Sequence, residues 1–361
     1  MQAQFSALPD PHHTPTLRFV KWDSGLPIRC DLLNRLSLLE PALKFSKIKF
    51  LSNHSLEKFE TSVAEGFMFT LGKPDKYSIN IRKILIMNTY IKNCKHGQFI
   101  LIHGDLISEY ANLLGEWCEG EVELFNSILS MDANVIEVGS NIGMHTIPMA
   151  KLLKKGKMFC FEPQRIVYQI LCGNISINNL TNVYAFNQGC SNQNGIIKIQ
   201  SGSYDKPWNY GAFSVESGFS AEGSYPEVTS HEELELVSID SLPLINELDR
   251  VDLLKIDAEG HDENVLDGAK NTIHKHQPFI FIENNSETKF NSIKEKIISF
   301  DYTPYWYCSA RYKSDNHNKA FWSIPGYDIN MICAPRSKPL KNGLLEVGKF
   351  SDLNDKKIPL Y

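Results

Sequence analysis

The chain has 361 residues, 42% of them hydrophobic and 22% charged, and carries a formal net charge of −5 at pH 7. That length suits a principal domain with a smaller addition, and the acidic balance argues against general binding along a nucleic-acid backbone. No apolar run is long enough to cross a bilayer, so no membrane span is expected.

The opening MQAQFSALPDPHHTP lacks a basic stretch followed by an apolar core and does not read as a signal peptide; a cytoplasmic location is expected. The eight cysteines are scattered, without a Cys-x-x-Cys pair, which favours buried reduced thiols over zinc or a disulfide framework. Residues 1 to about 45 are rich in proline and show no sustained periodicity. Adjacent His12 and His13, with no further ligands nearby, read as a solvated loop, and Leu32, Leu33, Leu36 and Leu39 suggest a short helix between Arg29 and Leu43. Strand-like runs KIKFL, KYSINI, KILIMNTYI and QFILIHGD follow. Residues 106–129 then read as helical with a break at Gly115-Glu116-Trp117. The expected organisation is an N-terminal accessory region at 1–95, a main domain at 96–337 and a polar tail at 338–361.

The stretch Asn134 to Met149, NVIEVGSNIGMHTIPM, organises the main domain. Val135, Ile136 and Val138 form a short β-branched run, as in a parallel strand buried on both faces. Gly139 to Gly143 then turns the chain toward a helical pattern, and unpaired amides at its start are expected to face a ligand. Gly156, after Lys151, Lys154 and Lys155, is expected to cap that helix in the left-handed conformation. The next strand, KMFCFE, closes on Glu162. A carboxylate there, about 20 residues past a glycine turn, is where a Rossmann-type fold holds ribose hydroxyls.

A helix from about Ile166 to Asn178 leads to one strand, VYAFNQGCS, which carries Gln188, Gly189 and Cys190. After IIKIQ comes a long polar and aromatic insertion, Ser201 to Glu232, read as a substrate lid in which Trp208, Asn209 and Tyr210 face the acceptor, with a surface excursion that binds no ligand as the competing reading. The run VDLLKIDAEGHDENVLDGAK supplies another buried strand with Asp257 at its ligand-binding end, then Glu259 and His261. PFIFIENN repeats the pattern and ends on Glu283-Asn284. Alternating strands and helices make this a doubly wound α/β fold.

The glycine turn reads Glu-x-Gly-x-x-x-Gly, with Asn141 where a dinucleotide fingerprint requires glycine. With FEP, KIDAEGHDENVLDGA and FIFIEN in order, and with the GEW and NYG segments, the chain from about Phe99 to Pro335 resembles the FkbM family of S-adenosylmethionine-dependent methyltransferases. The resemblance implies a class I methyltransferase (Rossmann-like) sheet of seven strands whose last strand, DINMICAP, is antiparallel. It also implies O-methylation of a hydroxyl on a sugar, glycan or secondary metabolite. Glu137, Gly139, Ser140, Asn141 and Gly143 would line the methionine part of S-adenosyl-L-methionine, Glu162 its ribose, and Gln188, Gly189 and Cys190 its adenine or sulfonium.

An alcohol is a poor nucleophile while protonated, so a base or a metal should assist. Asp257 is the first candidate base, His261 the second, and Glu283 completes the catalytic set. His145 reads as helix packing or backbone positioning. Asp257, Glu283 and Asn284 could hold magnesium, as on neighbouring strand ends of catechol-type methyltransferases. Hydrogen bonding to substrate hydroxyls without a metal is the preferred alternative. A silent cofactor-binding scaffold and an NAD-dependent dehydrogenase on a similar sheet stay open beside the methyltransferase reading.

Overall fold

In a computed structural model, residues 2–5, 17–20, 48–51, 68–71 and 89–361 are described, except 220–227, 284–286, 322–325, 341–342 and 356–357. The chain forms two compact units, Met1–Met87 and Asn88–Tyr361. In the first, β1 (Gln2–Phe5), β2 (Leu17–Val20), β3 (Ile48–Leu51) and β4 (Met68–Leu71) make a sheet of order β3-β2-β1-β4. Two of these strands, β1 and β2, lie in the stretch that shows no sustained periodicity. The helix expected between Arg29 and Leu43, the KYSINI strand and the His12-His13 pair lie outside the described residues.

The second unit opens with the hairpin β5 (Thr89–Cys94) and β6 (Gly97–Ile102), so Thr89–Cys94, inside the expected 1–95 region, pairs within the second unit. Helices α1 (Leu106–Leu114) and α2 (Glu119–Ile128) follow, separated at Gly115, whose φ of +76° supplies a left-handed cap. Next come β7 (Val135–Val138), α3 (Thr146–Leu152), β8 (Met158–Phe161), α4 (Arg165–Ile177), β9 (Val183–Phe186) and β10 (Gly189–Cys190). After β11 (Gly195–Gly202) and β12 (Val228–Val237), the chain runs through α5 (Pro243–Asn246), β13 (Leu253–Ile256), α6 (Asp262–Asp267) and α7 (Lys270–His276). It continues with β14 (Phe279–Glu283), α8 (Glu287–Ser299), β15 (Tyr302–Ala310) and β16 (Tyr327–Pro335).

The main sheet has the order β15-β16-β14-β13-β7-β8-β9. Strands β14, β13, β7, β8 and β9 are mutually parallel, and β16 runs antiparallel to both β14 and β15. This is the seven-stranded sheet that the resemblance implies, with DINMICAP as the inserted antiparallel strand. Side chains alternate between two cores. Val135, Cys160, Leu253 and Phe281 pack with α2, α3 and α4, whereas Ile136, Phe161, Leu254 and Ile282 pack with α6 and α8. Near-continuous apolar runs follow from burial on both faces.

Three local expectations are corrected. Gly156 is not a left-handed cap; α3 ends at Leu152, and a Cβ on Gly156 would lie 1.7 Å from the Ala133 carbonyl oxygen, so the glycine serves a close backbone approach. VYAFNQGCS is not one strand: β9 belongs to the main sheet, and β10 pairs with β12 in a separate three-stranded sheet. The Ser201–Glu232 insertion begins within β11 and ends within β12, which pair antiparallel from Gly195–Leu236 to Gly202–Val228 with a register shift at Ser201–Gly202, so its two ends are held together.

Candidate active site

The parallel strands end at one edge of the sheet, and a cleft opens there, as the topology of such sheets dictates. Its floor starts at Gly139, whose φ is +78° and whose Cβ, if present, would meet the Asp257 carbonyl oxygen at 1.9 Å. Only glycine lets β7 and β13 diverge this closely. The loop amides are not open donors, contrary to expectation. Asn141 N donates to Glu162 Oε2 (2.9 Å), Ile142 N to Asn141 Oδ1 (2.6 Å) and Gly143 N to the Ser140 carbonyl (3.0 Å). Asn141 itself is left-handed, at φ +47°.

Glu162 is buried at the end of β8. Its Oε2 accepts from Asn141 N and its Oε1 from Gln164 N, both at 2.9 Å. Each carboxylate oxygen keeps a second lone pair, so the group is fixed in place yet able to accept two more hydrogen bonds. Burial pushes its pKa up to about 7, against the pull of those amides.

Register places Lys255 of β13 beside Glu137 of β7. Lys255 is 2% exposed, with Nζ 3.7 Å from Glu137 Oε1 and 3.3 Å from Asp257 Oδ2. Burial opposes its charge, but Asp257, Glu137 and Glu121 outweigh burial and hold its pKa above the usual lysine value. Glu137 also accepts from the Thr146 hydroxyl (2.5 Å), which pins the start of α3 to β7. Beyond Asp257, the buried Asp262 carboxylate accepts from Ala258 N (3.1 Å) and Gly260 N (3.0 Å), holding Glu259 between them at φ +47°.

Oxygens of Asp257, Glu259 and Glu283 lie within 4.8 Å of one another, close enough to share a cation. Burial and the neighbouring carboxylates Glu259, Asp257, Asp262 and Asp328 push Glu283 well above the ordinary carboxyl pKa. Asn284, the third ligand expected from sequence, lies outside the described residues.

Thirteen of the sequence-derived residues line the cleft: Glu137, Gly139, Ser140, Asn141, Glu162, Gln188, Gly189, Cys190, Asn209, Asp257, Glu259, His261 and Glu283. Gly143 does not; at φ +92° it packs against Leu171. Nor do Trp208 and Tyr210. Their rings pack on Phe219 and Tyr204, and the Tyr210 hydroxyl donates to the Lys206 carbonyl (2.7 Å). The aromatics of the insertion thus pack on one another as part of the core on this face of the sheet, and Asn209, Gly211 and Phe213 line the cleft wall. Gln164 Nε2 donates to the Tyr210 carbonyl (2.8 Å) and docks that wall next to Glu162. His261 lines the cleft with both ring nitrogens engaged, Nδ1 with Glu216 (2.8 Å) and Nε2 with Ser191 (3.0 Å). It ties the insertion to the sheet edge and presents no free lone pair as a base.

Sequence reasoning missed Lys255, Glu121, Arg311, Asp328 and Asn330, all lining the cleft, and set His145 aside as packing. Lys255 had a signal, a lone charge inside LLKI. Arg311 and Asp328 had none, because their ion pair joins the two strands of the β15–β16 hairpin only after it forms.

Residues 137–311 match the family model described as "Methyltransferase FkbM domain". The chain is 26% identical over 147 residues to "Methyltransferase 1" of Beauveria bassiana (strain ARSEF 2860), a match covering 38% of this chain and 58% of that protein. The chain therefore spans little more than half the length of that relative. Among solved structures it is similar to methyltransferase FkbM from Methylobacillus flagellatus KT, at 15% identity and a TM-score of 0.37, over 58% of this chain and 47% of that one. Precorrin-6y C5,15-methyltransferase from Geobacter metallireducens GS-15 is another, at 15% identity and a TM-score of 0.36, over 59% and 86%. Residues 137–311 thus carry the match to the methyltransferase FkbM domain, and the sheet order around them is the one this resemblance implies.

Proposed function

We propose that this chain transfers a methyl group from S-adenosyl-L-methionine to a hydroxyl of a small molecule or glycan. One observation carries the cofactor side: the Glu162 carboxylate, fixed by two backbone amides and opening onto the cleft, suits a vicinal diol. In this reading Glu137, Lys255 and Asp257 surround the methionine end, Gln188, Gly189 and Cys190 the adenine end, and Asn209, Gly211 and Phe213 the insertion-side wall. The cofactor supplies an electrophilic methyl on sulfur. The chain holds the acceptor oxygen in line with it and keeps water out. Hydroxyl acceptors are favoured because the second half of the cleft offers Glu121, Glu259, Glu283 and Asn330, groups that hydrogen-bond a polyol.

The test is calorimetry with S-adenosylhomocysteine on the wild type, Glu162→Ala and Glu162→Gln. Micromolar binding, weakened tenfold or more by Glu162→Ala (about 1.4 kcal/mol), supports the cofactor site. No binding by the folded wild type removes the methyltransferase reading and leaves the scaffold. A panel of methyl glycosides and phenols with methyl-labelled cofactor then tests the acceptor class. We propose no metal in this step: EDTA treatment should leave transfer unchanged, and a loss restored by magnesium would assign the ion to Asp257, Glu259 and Glu283.

A further inference from the structure

His145 sits where β7 hands over to α3, next to Thr146, whose bond to Glu137 fixes this turn. Its ring lines the cleft, is 8% exposed and meets Phe125 edge-on at 5.9 Å. Nε2 has no hydrogen-bond partner, and the nearest acid, Glu121 Oε2, stands 3.6 Å away, beyond bonding distance. Four buried side-chain polar atoms are unpartnered among the described residues; His145 Nε2 alone among them belongs to a cleft-lining side chain more than nine-tenths buried. A buried nitrogen left without a partner is costly, and an acceptor hydroxyl at about 3 Å would satisfy it. The other candidate bases are engaged, Asp257 by Lys255 and His261 by Glu216 and Ser191.

Resting on the O-methyltransferase reading above, we propose that His145, backed by Glu121, receives the proton of the acceptor hydroxyl. The acceptor oxygen attacks the methyl carbon, an O–C bond forms as the S–C bond breaks, and the electron pair of that bond stays on sulfur as the neutral thioether. The hydroxyl proton passes to His145 Nε2 and then to solvent, so no other reactant is needed.

Surrounding charge supports this division of labour. Burial, then Lys255 and His96, holds His145 well below the usual histidine pKa, so the ring is neutral and able to accept. Glu121 is pushed up to about 8 by burial and Asp328, with Asp257 adding to the push while Lys255 and the Ser309 hydroxyl draw it down; Asn330 donates to its Oε1 at 3.0 Å. Once ionised, Glu121 stabilises the imidazolium that forms beside it.

The experiment uses the full chain, methyl-labelled cofactor and the acceptor returned by the panel of methyl glycosides and phenols. His145→Asn and His145→Gln should bind S-adenosylhomocysteine within twofold of the wild type, keep the acceptor KM and lose at least about 100-fold in kcat. Wild-type kcat should rise as pH passes through about 8, where Glu121 ionises, and Glu121→Gln should lose that limb. Retention of kcat within fivefold in both His145 variants overturns the proposal. So does a loss of cofactor binding that accounts for the lost rate, since His145 would then only shape the fold. If the wild type binds S-adenosylhomocysteine but methylates no hydroxyl in the panel, the O-methyl reading fails and this inference falls with it.

Discussion

Lys255 stands in the middle of a parallel sheet, where an unpaired ammonium would cost several kcal/mol to bury. It is tolerated because register sets Glu137 beside it and the strand end sets Asp257 above it. Replacing it by methionine strands Glu137 in the core, and denaturant unfolding should show a loss of about 3–5 kcal/mol. Glu162 behaves differently. Its folded pKa of about 7 lies above the ordinary carboxyl value, so the unliganded fold binds the proton more tightly than the unfolded chain. The stability this contributes is complete below the ordinary carboxyl range and is lost as pH rises toward 7. A cofactor diol donates to the ionised form, so S-adenosylhomocysteine should bind more weakly at pH 6 than at pH 8. Glu162→Gln should flatten that dependence.

Among the elements, one close approach and one covered edge stand out. Gly139→Ala adds a Cβ onto a backbone oxygen at a left-handed position; it should cost at least about 2 kcal/mol and abolish cofactor binding even where the variant stays folded. The segment read as a polar tail runs beside β15. Trp306 N donates to the Leu345 carbonyl, Val347 N to Pro304, and Tyr361 exchanges two backbone bonds with β15, through Ala310 N and the Cys308 carbonyl. Tyr361 also stacks on Tyr307, with ring centroids 4.7 Å apart. An open edge strand recruits other chains, so deleting residues 345–361 should lower the thermal midpoint and promote association, visible by light scattering.

Across the whole molecule, contacts divide the chain between Met87 and Asn88, and every cleft-lining residue belongs to the second unit. A protein beginning at Asn88 should therefore fold and bind S-adenosylhomocysteine with the affinity of the full chain. Loss of binding in a folded truncation would assign residues 1–87 a part in the site.

The identity of the main sheet's parallel strands was legible in the sequence because burial on both faces demands unbroken apolar runs, and the Gly139 turn and the Glu162 strand end are local events. Sequence alone also pointed to the domain model that residues 137–311 match, since its motifs sit at successive strand ends. The second half of the cleft was not legible. Glu121, His145, Lys255, Arg311, Asp328 and Asn330 converge from two helix regions and three strands, with Glu121 and Asn330 separated by 209 positions. Single residues can also mislead: Trp208 and Tyr210 of the insertion read as substrate-facing, yet apolar area drove them onto the core around Tyr204 and Phe219. Strand identity is set by the hydrophobicity of consecutive residues. Which charges meet is set by register and by the hand of each connection, and these exist only once the sheet has formed.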